Sequence, residues 1–188
     1  PDGGTFIVAP PANPYRCPPG PYERISLVAS YFKATKPRSK ILVFDAKDAF
    51  SKQGLFQAAW EQEFPGMIAW VAGKDGGKVE SVDPAAMTVK CGFGNQKGDV
   101  VNIIPPQRAG AIAQEAGLAN DNGWCPVDPM TFASTKAANV YVIGDASIEE
   151  GVFHESANFA SLHRLPTVVV AQVLHQDPPH LQHRQRVL

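Results

Sequence analysis

The sequence carries no excess charge of either sign, with a formal net charge of −1 over 188 residues. That excludes the basic face that nucleic-acid binding requires and the strongly acidic composition of a disordered chain. Long apolar runs are also missing. The longest, residues 167–174, falls far short of the ~20 residues that cross a bilayer, so no membrane span is expected. The chain begins on Pro1 rather than Met and shows no signal-peptide pattern. The compartment is therefore not legible at the amino terminus, and the chain reads as cut from something longer. Cysteine is scarce. Cys17, Cys91 and Cys125 are too few and too scattered for a disulfide framework or a zinc site. His175, His180 and His183 lie in the tail without metal-site spacing, and no metal is expected.

What is present is an alternation of apolar strands and amphipathic helices. Residues 5–9 form a short apolar run, and residues 10–21 a proline-rich loop holding Cys17. Ile25, Val28, Ala29 and Phe32 then follow the i, i+3, i+4, i+7 spacing of a helix over residues 22–35. Glu23 in its first turn and Lys33 and Lys36 near its end complement the helix dipole, and Pro37 stops it. Residues 40–46 are a second buried strand ending at Asp45. Strand, helix and strand within ~40 residues predict a βαβ unit with parallel strands and a right-handed crossover.

A unit of this size is one half of a dinucleotide-binding domain, with Asp45 at the place of the ribose-binding acid. The Gly-x-Gly-x-x-Gly turn that lets backbone approach a pyrophosphate is absent. In its place stands Pro10-Pro11-Ala12-Asn13-Pro14-Tyr15-Arg16-Cys17-Pro18-Pro19-Gly20-Pro21. Prolines have no N–H to offer a phosphate, so the turn has been rebuilt around a cysteine and argues against a nicotinamide dinucleotide.

Further along, a helix is expected around residues 56–63 and a third strand at 68–72. Alternating apolar residues predict an antiparallel pair at 78–83 and 87–93, and residues 99–104 read as another strong strand. Pro105-Pro106-Gln107-Arg108-Ala109-Gly110 leads into a helix reaching about residue 116. The run Asn139-Val140-Tyr141-Val142-Ile143-Gly144-Asp145-Ala146 predicts a strand over 137–144 that delivers Asp145 to the carboxyl edge of a sheet. Open α/β sheets bind ligands at that edge. Residues 156–175 read as mostly helical, interrupted at Pro166.

Two motifs, Ile103-Ile104-Pro105-Pro106-Gln107-Arg108-Ala109-Gly110 and Gly123-Trp124-Cys125-Pro126-Val127-Asp128, together with the Cys17 loop and Ile143-Gly144-Asp145-Ala146, make a specific combination. In that order they resemble the flavoprotein subunit of flavocytochrome c sulfide dehydrogenase, an FAD-dependent disulfide-reductase-like family related to sulfide:quinone oxidoreductases. The likeness runs from Pro1 to about Asn158. It implies an α/β fold, with a Rossmann-like FAD/NAD(P)-binding domain over residues 1–99 and part of a second, FAD-binding domain over 100–175. Residues 176–188 would form a disordered tail. It also implies sulfide oxidation through FAD, a c-type cytochrome subunit as partner and a periplasmic location. Cys17 matches the redox cysteine, and Gly144, Asp145 and Ala146 match the strand end that contacts FAD. Ser156, Ala157 and Asn158 match a helix start beside the flavin, and Gln107 and Arg108 are expected to line the cleft.

The departures are large. The amino-terminal FAD half is missing, and no cysteine follows Cys125 to supply the second redox thiol. Two alternatives therefore stand beside the sulfide dehydrogenase. One is an NAD(P)H-dependent disulfide reductase. The other is an inactive fragment unable to bind FAD alone. Cys17 is either a redox thiol activated by Arg16, Arg24 and the helix start or an inert loop residue. Cys125 is either its partner or a structural residue beside Trp124, and Cys91 is expected in the core.

Overall fold

The computed structural model describes residues 2–144. They fall into two compact units that divide after Gln107. The sequence placed a boundary at residue 99, but the strand beginning at Val100 completes the sheet of the first unit.

That sheet contains β1 (Thr5–Ala9), β2 (Lys40–Phe44), β3 (Ile68–Val71) and β7 (Val100–Ile103), in the order β3-β2-β1-β7, all parallel. Its strands read as near-continuous apolar runs because both faces are covered. On one face, Phe6, Val8, Ile41 and Val43 meet Tyr22, Ile25 and Ala29 of α1 (Gly20–Thr35) and Trp60 of α2 (Gln53–Glu63). The intervening residues Ile7 and Phe44 turn to the other face and pack with Val89 and Cys91. This period of two is the pleat itself. The helix spacing read at Ile25 and Ala29 is the buried stripe of α1.

Val89 and Cys91 belong to a small antiparallel sheet of β4 (Ser81–Asp83), β5 (Thr88–Cys91) and β6 (Gly94–Lys97), order β4-β5-β6. The sequence predicted two of these strands. The third, Gly-Asn-Gln-Lys, has no apolar residue, and only its ladder with β5 identifies it. Glycines seat this sheet. A Cβ on Gly77 would lie 2.1 Å from the Val71 carbonyl oxygen, and one on Gly92 would lie 2.6 Å from the Cα of Gly76.

The second unit holds α3 (Ala111–Glu115) and a core of Ala109, Ala113, Leu118, Trp124, Cys125 and Val142. The strand expected over 137–144 is not formed. Tyr141 makes an isolated antiparallel bridge to Ala133, and the Val142 amide bonds the Phe132 carbonyl at 3.0 Å. Val142 is fully buried all the same, so the β-branched pattern reported burial correctly but not the ladder. The expected helix over 156–175 and the tail over 176–188 lie outside the described residues.

Candidate functional site

The carboxyl end of β1 opens into the proline-rich loop at the edge of the parallel sheet. Cys17 lies near its end, exposed, unbridged and in the left-handed backbone region at φ 55°. Its sulfur rests against the start of α1, so that a Cβ on Gly20 would stand 3.2 Å from Sγ. The local hydrogen bonds close back on the loop. The Gly20 amide donates to the Cys17 carbonyl at 2.9 Å, and the Tyr22 and Glu23 amides both donate to the Pro19 carbonyl at 3.0 Å. Pro21 has no N–H. The opening of α1 thus directs its donors inward from residues 20, 22 and 23, and they do not form a pyrophosphate cradle.

Two tethers hold this loop. Gln107, just beyond β7, accepts the Arg16 amide through Oε1 at 2.8 Å. On the other side the Lys47 ammonium donates to the Pro11 carbonyl at 2.7 Å. The same ammonium lies 4.8 Å from the centroid of the Tyr15 ring, and the Tyr15 hydroxyl donates to the Pro18 carbonyl at 2.7 Å.

Asp45, the acid expected at the ribose position, is fully buried. One carboxylate oxygen, Oδ1, accepts from the Lys47 ammonium at 2.7 Å and the Lys47 amide at 3.0 Å. The other, Oδ2, accepts from the Tyr22 hydroxyl at 2.6 Å and the Trp70 indole at 3.0 Å. Burial, and then the neighbouring Asp45 carboxylate, hold the Tyr22 hydroxyl protonated far above its ordinary range. Four donors from the chain itself therefore satisfy this acid. Neither the first turn nor Asp45 fits a nicotinamide dinucleotide.

The remaining expected residues divide. Gln107 belongs to the first unit and reaches the cysteine loop, whereas Arg108 belongs to the second. Arg108 is exposed, and its stem packs against Gly123, whose added Cβ would stand 2.9 Å from the Arg108 Cβ. Cys125 is buried in the second unit's core, and burial raises its thiol pKa although Lys136 acts in the opposite sense. Cys91 is also buried, and none of the three thiols is in a disulfide. Asp128 turns the chain. Its carboxylate accepts from the Thr131 hydroxyl and amide and from the Met130 amide, which lowers its pKa. Of the residues matched to flavin contact, Gly144 alone is described, at φ 92°; Asp145, Ala146, Ser156, Ala157 and Asn158 lie outside the described residues. Among the described residues no group of acids, histidines and cysteines is placed to hold a metal ion.

Lys47, Tyr15 and Trp70 were not singled out as site residues from sequence. The available signal was Asp45-Ala46-Lys47: opposite charges two residues apart, immediately after the apolar run Ile41-Leu42-Val43-Phe44.

The fold defines a class: a Rossmann-like α/β domain of the kind found in flavoprotein reductases. It resembles the HOCl-induced flavoprotein disulfide reductase RclA from Escherichia coli in its Cu(II) complex. There, 14–15% identity accompanies TM-scores of 0.57 for the unsubstituted protein and 0.58 for a mutant with one cysteine changed to serine, each over 86% of this chain. A chain of the mitochondrial ATP synthase from Tetrahymena thermophila is also similar, at 19% identity and TM-score 0.51 over 78% of this chain. The chain spans 35%, 36% and 38% of the lengths of these three structures' chains. Residues 1–105 match the family model of the central region of the sulfide dehydrogenase (flavocytochrome c) flavoprotein chain, which takes in both βαβ crossovers and the Cys17 loop. The chain belongs to that family. A second family model, that of the dehydrogenase E1 component, matches residues 59–172 and shares 59–105 with the first.

Proposed function

We propose that this chain is part of a flavin-dependent oxidoreductase that oxidises sulfide, with Cys17 as the thiol that handles sulfur. The observation that carries the reading is the family match over residues 1–105, which includes an exposed, unbridged Cys17 at the carboxyl edge of the sheet. A thiolate there is sterically open to hydrosulfide or a sulfane sulfur, whereas Cys91 and Cys125 are enclosed. FAD is the cofactor the family implies, and when bound it would accept the electrons from sulfur. The described residues provide no pyrophosphate cradle at the first turn, and on the family resemblance we assign FAD contact to Gly144, Asp145 and Ala146 and to Ser156, Ala157 and Asn158. A c-type cytochrome is the proposed electron acceptor, and the periplasm the proposed location. The occupied state of Asp45 disfavours the NAD(P)H-dependent disulfide reductase.

Reconstitution tests the reading. The purified chain is incubated with excess FAD and desalted, and its visible absorbance is followed on addition of sulfide under argon. A retained flavin band that bleaches with sulfide, and does so only slowly in Cys17→Ser, is expected. A chain that retains no flavin is the inactive-fragment outcome and overturns the proposal for this chain alone. The E1-component match favours a second reading for the residues beyond Gln107, as a segment of E1 dehydrogenase type. Retained flavin that is lost in Asp145→Ala excludes it.

A further inference from the structure

In a dinucleotide-binding βαβ unit the acid after the second strand is held open for a ribose hydroxyl. Here that acid is neutralised by Lys47, and the same ammonium reaches across to the loop that replaced the phosphate turn. A buried ammonium needs a partner charge and acceptors for its donors. Asp45 and the Pro11 carbonyl provide both, and the Tyr15 and Tyr22 rings lie 4.8 and 5.8 Å from the ammonium. The connection continues through the loop. Pro11 and Tyr15 are fixed by Lys47, the Tyr15 hydroxyl bonds the Pro18 carbonyl, and Cys17 lies between Tyr15 and Pro18. Gln107 fixes the adjoining Arg16 amide.

We propose that Lys47 is a positioning residue for Cys17: the former cofactor-recognition acid anchors an ammonium that clamps the thiol loop onto the edge of the sheet. The proposal rests on Cys17 being the working thiol, but its test does not require flavin or sulfide. Lys47 touches neither the sulfur nor any reacting atom. It sets the backbone that holds Cys17 in left-handed geometry against the first turn of α1.

The test is a nitroxide spin label attached through a thiosulfonate to the native chain, where Cys17 is the exposed thiol and Cys91 and Cys125 are buried. Electron paramagnetic resonance line shape reads label motion on the nanosecond scale on which loops move. A slow-motion, broad spectrum is expected for the native chain. In Asp45→Asn/Lys47→Met, which removes both charges together, the narrow, fast-motion component should become the larger one while the far-ultraviolet circular dichroism and its melting curve persist. Lys47→Arg keeps a cation that can bond both acceptors and should restore the broad spectrum. If the double variant loses its dichroism, Lys47→Gln replaces it, because the amide keeps a donor for Asp45 on a side chain one bond shorter, and the narrow component should again dominate. A spectrum as broad as the native one in a folded Asp45→Asn/Lys47→Met or Lys47→Gln chain overturns the proposal. A flavin-free chain that shows the predicted line shapes retains the clamp while failing the sulfide dehydrogenase reading, so the two outcomes are distinguishable.

Discussion

At the scale of single residues, Asp45 carries a concentrated energetic stake. Its carboxylate is fully buried and accepts from Lys47, Tyr22 and Trp70. Asp45→Ala leaves an unpaired ammonium and two unpartnered aromatic donors, and breaking such a pair costs about 3–5 kcal/mol. Urea denaturation should show that loss as a lowered midpoint with the slope retained. Tyr22→Phe removes one donor from a carboxylate that keeps the others, and its cost should be smaller, about 1–3 kcal/mol. The sequence made the position of Asp45 legible, because an acid ending a buried strand stands out. Its state was not legible, because Tyr22 and Trp70 come from elements 23 and 25 residues away. Cys17 shows the same division. Its place in a proline loop was readable, and its left-handed backbone was not.

At the scale of elements, the parallel strands and α1 were readable because one physical signal decided each: apolar runs covered on both faces, and a helical stripe at Ile25 and Ala29. The polar strand β6 and the bridge at Tyr141 were not, because register against a neighbour creates them, and hydrophobic pattern carries no trace of that. The small sheet packs on the parallel sheet through Val89 and Cys91 against Ile7 and Phe44, and the chain beside it makes close backbone approaches at Gly77 and Gly92. Gly77→Ala places a methyl against the backbone carbonyl of Val71, a rigid neighbour that cannot rotate away. The expected result is a loss of thermal stability larger than that of Gly54→Ala, where an added Cβ meets nothing within 4 Å. Differential scanning calorimetry of the two variants provides the comparison. Overpacking of this kind typically costs about 1–3 kcal/mol.

At the scale of the whole molecule, the first unit has its own sheet, helices and buried clusters within residues 1–107. A chain ending at Gln107 should therefore melt in one cooperative transition, and absence of a calorimetric peak would contradict that autonomy. Titration of the full chain with NADH, followed by fluorescence transfer from tryptophan, should show no saturable signal, since the acid that would receive the ribose hydroxyl is already bonded. Domain organisation was only partly legible for a physical reason: β7 follows the small sheet in sequence yet pairs with β1, the first strand. One further consequence follows from the indole of Trp70 being anchored to a carboxylate at 3.0 Å with Phe50 at its edge. The protein carries its own optical gauge: whatever draws Lys47 away from Asp45 also alters the field along that indole and should shift its share of the emission beside that of Trp60 and Trp124, without any added dye.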